Sequence, residues 1–419
     1  MPKIKKMIIS LKKYMVSTIK SDFMRRFMLG TMNMLSKAVK RDSKIVLCGA
    51  MNGRWFGDNS KYVYEWILEN RPALKPVWLT NNDNDYKALK KAGKPVAKIR
   101  SIHGLLYLLR AEIGVFTNSL FDLSILPFLI PDHMKLIALR HGRSVKRIRF
   151  ARKGHQISDD EAVERCRENE LVVYVISTSD FISDIQEECL QIGRHKHVVT
   201  GYPRNDLLLN PGDDETVAWK KFIDGLEYEM VILYAPSWRH GREATRFFPF
   251  DDFDAEHLLH YLEKQNVMMI LRPHANDLEK YPDLVNFLTQ IAGMSNNIVL
   301  ATHAEIPDVN SLLPFVDALI SDYSALYHDY LLLDRPMLFI PYDYDDFSER
   351  NGFLYDYKSM APGVSIDSLA NFKQEVDTLI YGGDRFKTER HQLLNLIHEY
   401  KDNNSRERVV NIIEEVIQN

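Results

Sequence analysis

Residues 231–239 read Val231-Ile232-Leu233-Tyr234-Ala235-Pro236-Ser237-Trp238-Arg239: an apolar run breaks at a proline turn that carries a serine, an indole and a guanidinium. A short run that is apolar throughout suits a strand buried on both faces, as in a parallel sheet covered by helices. The unit recurs in both directions. Downstream, 267–271 runs into Arg272-Pro273-His274, and 318–320 runs into Ser321-Asp322-Tyr323-Ser324 and a helix over 325–333; runs at 298–301 and 337–340 complete this half. Upstream lie 45–47, 76–79, 113–117, 136–139 followed by Arg140-His141-Gly142, 171–177, and 198–200 followed by Gly201-Tyr202-Pro203-Arg204-Asn205-Asp206.

Longer polar stretches of helical period separate these runs, and βαβ alternation predicts an α/β chain with parallel, doubly wound sheets. The turn-rich Asn210-Pro211-Gly212-Asp213-Asp214 interrupts it. Two Rossmann-like domains are therefore expected, over 44–212 and 213–395, with a polar helical tail closing the chain over 396–419. Ligands of such sheets bind where strands end at their carboxyl edges, which is where the unusual polar residues fall.

A chain of 419 residues, 45% hydrophobic and 26% charged, holds enough apolar material for two cores, which excludes disorder, collagen and coiled coil. Cys48, Cys166 and Cys189 show neither CxxC nor Cys/His metal spacing, so no disulfide framework or zinc site is expected and a reducing compartment fits. No run approaches the roughly 18–20 apolar residues of a spanning helix, and the opening lacks a signal-peptide pattern. The expected place is the cytoplasm, free or against a membrane.

The net charge of −3 conceals an asymmetry: residues 1–45 carry 12 Lys and Arg against Asp22 and Asp42, a balance of +10 that leaves −13 for the rest. In this leader, Ile4, Ile8, Leu11, Met15, Ile19, Phe23 and Phe27 recur every three or four positions, with Lys5, Lys12, Lys13, Lys20, Arg25 and Arg26 largely off that stripe. A basic amphipathic helix over 1–43 is expected to rest on an anionic leaflet; the alternative is that its stripe packs on its own domain. Nucleic acid is not an expected partner, because the acidic remainder repels phosphate.

His141 and His274 sit at strand ends beside Gly or Pro, suited to taking a proton from a hydroxyl or donating a hydrogen bond to phosphate. Arg239 and Arg272 follow neighbouring strands, where a guanidinium can grip phosphate oxygens. Ser321-Asp322-Tyr323-Ser324 opens a helix whose N–H groups suit pyrophosphate, although, taken on its own, plain N-capping by Ser or Asp is the simpler account. The Gly201–Asp206 turn with its Arg–Asp pair suits a structural hinge. GxxxxGK[ST], GxSxG and HExxH are absent, and no GxGxxG follows the first strand, which removes P-loop ATPase, serine hydrolase and zinc-protease readings.

His141-Gly142 with Lys146, GYPRND at 201–206, LYAPSWR at 233–239, RPH at 272–274, SDYSALYHDYLLLDRP at 321–336 and RNGF at 350–353, in this order, resemble the CDP-glycerol glycerophosphotransferase family of teichoic acid and capsule synthesis. GRWFGDNSKYVYE at 53–65 looks like that family's opening. The resemblance implies a GT-B-type fold, two Rossmann-like domains facing across a cleft. It further implies a peripheral position on the cytoplasmic membrane face, and transfer of a polyol phosphate from a CDP-activated donor to a lipid-linked acceptor, releasing CMP.

Carried onto this chain, the resemblance makes His141 and His274 catalytic, with His141 the base. It assigns Ser237, Arg239, Arg272, Ser321, Asp322, Ser324 and Asp329 to the donor, and Gly142, Lys146, Arg204 and Asp206 to acceptor positioning. No metal and no cofactor beyond the CDP-glycerol substrate is expected, and a homo-oligomer is compatible with the sequence. The family's usual aromatic before His-Gly is Arg140 here, and Arg143-Ser144 replace its Thr-Pro, changes that bear on the acceptor. The chain's length favours a single-addition primase or a capsule enzyme. Two other readings keep the fold: a CDP-ribitol or nucleotide-sugar donor, and a non-catalytic subunit that binds nucleotide or glycolipid.

Overall fold

The structure is a computed structural model that describes residues 22–142, 145–154, 156–223, 226–239 and 243–418. The leader positions before residue 22, Arg143 and Ser144 lie outside the described residues.

The first sheet is formed by β1 (Asp42–Gly49), β2 (Lys75–Thr80), β3 (Val96–Lys98), β4 (Ala111–Phe116), β5 (Lys135–Ala138), β6 (Val172–Ser177) and β7 (His197–Val199). The second is formed by β8 (Met230–Tyr234), β9 (Val267–Leu271), β10 (Ile298–Leu300), β11 (Ala318–Ser321), β12 (Met337–Phe339) and β13 (Val364–Ser365). All pairings within them are parallel, in the orders β3-β2-β1-β4-β5-β6-β7 and β10-β9-β8-β11-β12-β13. Strand order reverses between β1 and β4 and between β8 and β11, which fixes where each domain opens a ligand crevice.

Each sheet is covered on both faces. Ile45, Leu47 and Leu136 face one core of the first domain, while Val46, Cys48 and Ile137 face the other. Alternate residues of β8 and β9 likewise divide between two cores in the second domain. The sequence runs anticipated eleven of these strands; β3 (Val96-Ala97-Lys98) and β13 (Val364-Ser365) escaped because each ends on a polar residue after at most two apolar ones and so shows no apolar run. Ser179, Asp254 and Ser368 cap helices by accepting the N–H groups of Ile182, His257 and Asn371.

From the leader, a helix spans Asp22–Ala38 and passes through Gly30 unbroken. Met32 is buried in the first domain, whereas Phe23 and Phe27 are 77% and 61% exposed. Among the described residues no helix is long and apolar enough to cross a membrane.

The tail is less polar than its composition suggested. The helix Ser405–Gln418 leaves the second domain and lays Val409, Val410, Ile413 and Val416 on the first sheet's core. Asp206 holds it there, accepting the backbone N–H groups of Ser405 and Arg406 at 3.0 and 2.9 Å and the Arg406 Nε at 3.1 Å. A fully buried carboxylate spent on a helix N-terminus cannot position an acceptor, so the expectation for Asp206 is corrected: it is a structural tie.

Candidate active site

Between the facing carboxyl edges lies a cleft of about 920 Å³. The first domain contributes the turn after β1, Thr117 and Asn118 after β4, and Arg140–Gly142 after β5. The second contributes Ala235–Pro236 after β8, Arg272–Asn276 after β9, His303 after β10 and Ser324–Leu326 after β11.

His141 stands on the first-domain wall, its side chain 55% exposed, with Nδ1 on a carboxylate oxygen of the buried Asp58. Asp58 lies in the first turn of the helix Asp58–Asn70, where the helix dipole favours its charge. With Nδ1–H donated to Asp58, Nε2 keeps its lone pair for a proton. The Asp58 charge raises the His141 pKa above its ordinary value despite crowding by the cleft walls. Burial would raise Asp58, but the His141 and Arg204 charges outweigh it and hold the carboxyl below its usual range.

Several buried groups set this pair in place. Asn59 Nδ2 donates to the carbonyls of Leu139 and Arg140 at 3.2 and 2.7 Å, and its Oδ1 accepts the Arg204 N–H at 3.0 Å. Arg204 Nη1 donates to Asp58 Oδ1 at 3.1 Å and to the His141 carbonyl at 3.0 Å. Gly142 is required here: its φ is +116°, and a Cβ would come within 2.7 Å of Arg204 Nη2. Arg140, at φ +57°, turns inward to pair with Glu168 at 3.6 Å. Arg204 Nη2 reaches Asp329 of the second domain at 2.6 Å, and Asn205 Nδ2 donates to the same carboxylate at 3.0 Å. Arg204 and Asp329 therefore clamp the two walls beneath His141.

Opposite, His274 caps the helix Ala275–Lys280, its Nδ1 accepting the Asn276 N–H at 3.2 Å, which leaves its proton on Nε2. It stacks on Trp238 with centroids 5.3 Å apart. Its side chain is open to the cleft, yet the crowding walls and the charges of Lys146 and Arg272 push its pKa down to about 4. His274 is thus a neutral hydrogen-bond donor near pH 7 rather than a base. Arg272 Nη1 donates to the Ala301 carbonyl at 3.0 Å, and among the described residues no carboxylate pairs with it. Burial lowers its pKa to about 10, so it stays charged and is available to an anion.

Four residues expected at the donor lie beneath the cleft instead of lining it. Arg239 is 5% exposed and bonds Asp322 Oδ2 at 2.7 Å and Asp343 at 2.7 and 3.0 Å, boxed by Tyr323, Tyr342 and Phe347. Its charge is already matched by two carboxylates, leaving none for a phosphate. Asp322 also accepts the Ser237 N–H at 2.7 Å, and Ser321 Oγ donates to the Ala235 carbonyl at 3.1 Å. The sequence placed these residues correctly at strand ends; it could not show that they neutralise one another.

Ser324 does line the cleft, accepting the Leu326 N–H at 3.3 Å, but the α-helix after it is only Leu326–Tyr330 before tightening to a 3₁₀ turn. Lys146 sits off the cleft. Its segment pairs with the second domain, where Arg147 N–H meets the Gly352 carbonyl at 3.1 Å and Leu354 N–H the Val145 carbonyl at 3.0 Å. Burial pushes the Lys146 ammonium down to about 8 beside Asp322 and Arg239. Among the described residues no group of three or more His, Cys, Asp or Glu is placed to hold a metal ion.

Asp58 and Asn59 lie in the 53–65 stretch, where no local signal marks either as functional. A carboxylate opening a helix reads as a cap until His141, 83 positions away, is seen on it.

The imidazole with its carboxylate and the guanidinium thus meet across a cleft between two Rossmann-type sheets of parallel strands, a GT-B-type architecture. A sequence profile of the CDP-glycerol:poly(glycerophosphate) glycerophosphotransferase family matches residues 31–415, and the chain belongs to that family. It is 30% identical over 373 residues to a teichoic acid poly(glycerol phosphate) polymerase of Bacillus subtilis (strain 168), covering 86% of this chain but 46% of that one. A teichoic acid glycerol-phosphate transferase of Staphylococcus aureus (strain NCTC 8325 / PS 47) is 24% identical over 358 residues, 81% of this chain and 84% of that one. The chain thus spans less than half of the Bacillus subtilis polymerase. In fold it is similar to the structure of the wall teichoic acid polymerase TagF, with a TM-score of 0.74 at 20% identity over 99% of this chain and 98% of that one.

Proposed function

We propose that this chain transfers glycerol phosphate from CDP-glycerol to a hydroxyl of a lipid-linked glycan or polyolphosphate acceptor, releasing CMP, in teichoic acid or capsule-type polymer synthesis. The observation that carries the reading is the His141–Asp58 pair facing Arg272 and His274 across one cleft. His141 Nε2 takes the acceptor proton as the acceptor oxygen bonds the glycerol-bearing phosphorus in line. The bond from that phosphorus to the bridging oxygen breaks, and CMP departs with the electron pair. Arg272 and the His274 Nε2–H meet the charge that develops on it, so catalysis is chiefly positioning and charge stabilisation. Family membership supports the donor, and no divalent metal is needed for these roles. The same reading sets the protein on the cytoplasmic membrane face, supported by exposed Phe23 and Phe27 beside Arg25 and Arg26.

The test is CMP release from CDP-glycerol by purified protein in anionic liposomes carrying a lipid-linked disaccharide. Acceptor-dependent release supports the reading. Release from CDP-ribitol or a nucleotide sugar in its place changes the donor, and tight CDP binding with no turnover makes the chain a binding subunit.

Because Asp58 raises the His141 pKa, and the neutral imidazole is the base, transfer is expected to rise with pH through a value above the ordinary 6.5. Asp58→Asn removes the raising charge, so its acid limb should move to lower pH while its plateau falls, about a hundredfold. The linked stability has the opposite sense: the charged pair supports the fold fully below the unfolded imidazole value and is lost as pH rises through the folded one. A pH–rate profile of both proteins checks this, and an unmoved acid limb would detach Asp58 from the base.

A further inference from the structure

We propose that the turn after β1 is built to hold Arg54 against a phosphate group of the acceptor, giving the first-domain wall an anion subsite of its own; this rests on the transferase reading above. Met51, Asn52 and Gly53 take φ of +49°, +58° and +71°, three successive left-handed residues of which only one is glycine. Each non-glycine residue there costs on the order of 1 kcal/mol, and such strain persists only where the surroundings enforce it.

The surroundings here are a polar knot tying three strand ends together. The fully buried Asp122 accepts the Asn52 N–H at 2.6 Å through one oxygen and the Thr117 and Asn118 N–H groups at 3.0 and 2.8 Å through the other. Asn52 Oδ1 in turn accepts Ser119 Oγ at 2.8 Å and Asn118 Nδ2 at 3.3 Å. The Gly53 carbonyl accepts the N–H groups of Asn81 and Asn82 at 2.7 and 3.1 Å and Thr80 Oγ1 at 3.1 Å. Gly49 lets the knot close, since a Cβ there would meet the Asp122 carbonyl oxygen at 2.1 Å.

What this knot delivers is a rigid edge at the β1–β4 switch point, where Met51, Asn52, Arg54 and Trp55 line the cleft. Arg54 is exposed there, and among the described residues no carboxylate pairs with it. Trp55 beside it meets His303 of the second domain edge-on at 5.7 Å, which sets Arg54 next to the junction of the walls. The donor's phosphates are already provided for by Arg272 and His274 on the far wall. A second unmatched guanidinium, on the wall that supplies the base, fits an acceptor whose attacking hydroxyl belongs to a phosphate-bearing unit.

The experiment is calorimetric titration of the full chain with CDP, and with a glycerol-phosphate trimer in the presence and absence of CDP. Arg54→Ala should bind the trimer about tenfold more weakly and CDP unchanged, since an exposed side chain is removed without disturbing the knot. Asn52→Gly tolerates the left-handed backbone but loses the side-chain bonds, and should weaken the trimer by a smaller factor. Trimer affinity unchanged in Arg54→Ala, or CDP affinity lost in its place, would overturn the subsite; unchanged affinity in Asn52→Gly would overturn the role of the turn. Failure of the unaltered chain to bind CDP would count against the transferase reading instead, and the trimer arm without CDP still decides Arg54.

Discussion

His141→Ala is expected to lower acceptor-dependent CMP release by about a thousandfold while CDP affinity and the melting midpoint stay close to those of the unaltered chain. The size follows from what a positioned base supplies, about 10²–10⁴-fold. Its sparing of the fold follows from the position of the ring: 55% exposed, it is held by its backbone, with the His141 carbonyl bonded to Arg204 whatever the side chain. Asp58 would keep Arg204 as its partner at 3.1 Å, so no buried charge is stranded. Single-turnover kinetics with saturating donor gives the readout. A loss of less than tenfold would remove His141 as the base and leave Arg272 and His274 as a binding site only.

Asp329→Ala is expected to damage stability more than any change at the cleft surface. Arg204 would be left 10% exposed with one of its two carboxylates gone, and Asn205 Nδ2 would lose its acceptor as well. Removing one partner of a buried ion pair costs about 3–5 kcal/mol, mostly the penalty of the stranded charge. That corresponds to a fall of roughly 10 °C in the melting midpoint. Transfer should fall with it, because Arg204 is what ties Asp58 and the His141 carbonyl to the second domain. Asp329→Asn retains the shape and one acceptor oxygen and should lose about half as much. Thermal denaturation of both variants decides; a midpoint unchanged in Asp329→Ala would show that the walls are held together elsewhere, as by the Tyr62 hydroxyl on Asp308 at 3.2 Å.

Arg239 and Arg272 show how far a motif reaches. Both are arginines just past neighbouring strands, and in the sequence they are indistinguishable. One is consumed by Asp322 and Asp343 inside an aromatic box, while the other keeps an unmatched charge on the cleft. Likewise Arg204 and Asp206 lie two positions apart in one turn, yet one clamps the domains and the other caps the last helix. His274 was legible as a strand-end imidazole, but its neutrality depends on burial by the cleft walls and on the charges of Lys146 and Arg272 around it.

The alternation of buried strands with helices, the clustering of polar residues at strand ends and membership of the family are legible in the order of residues alone. These are local properties: side-chain period, turn chemistry and motif order act within a few residues and survive without knowledge of the partner. Which charges meet is a property of the folded chain. His141 and Asp58 are 83 positions apart, Arg204 and Asp329 are 125, and Asp206 and the helix it caps about 200. A charged side chain reads the same in sequence whether it is solvated, paired or poised for a substrate; only the docking of distant elements, and the water they exclude, settles which state it takes.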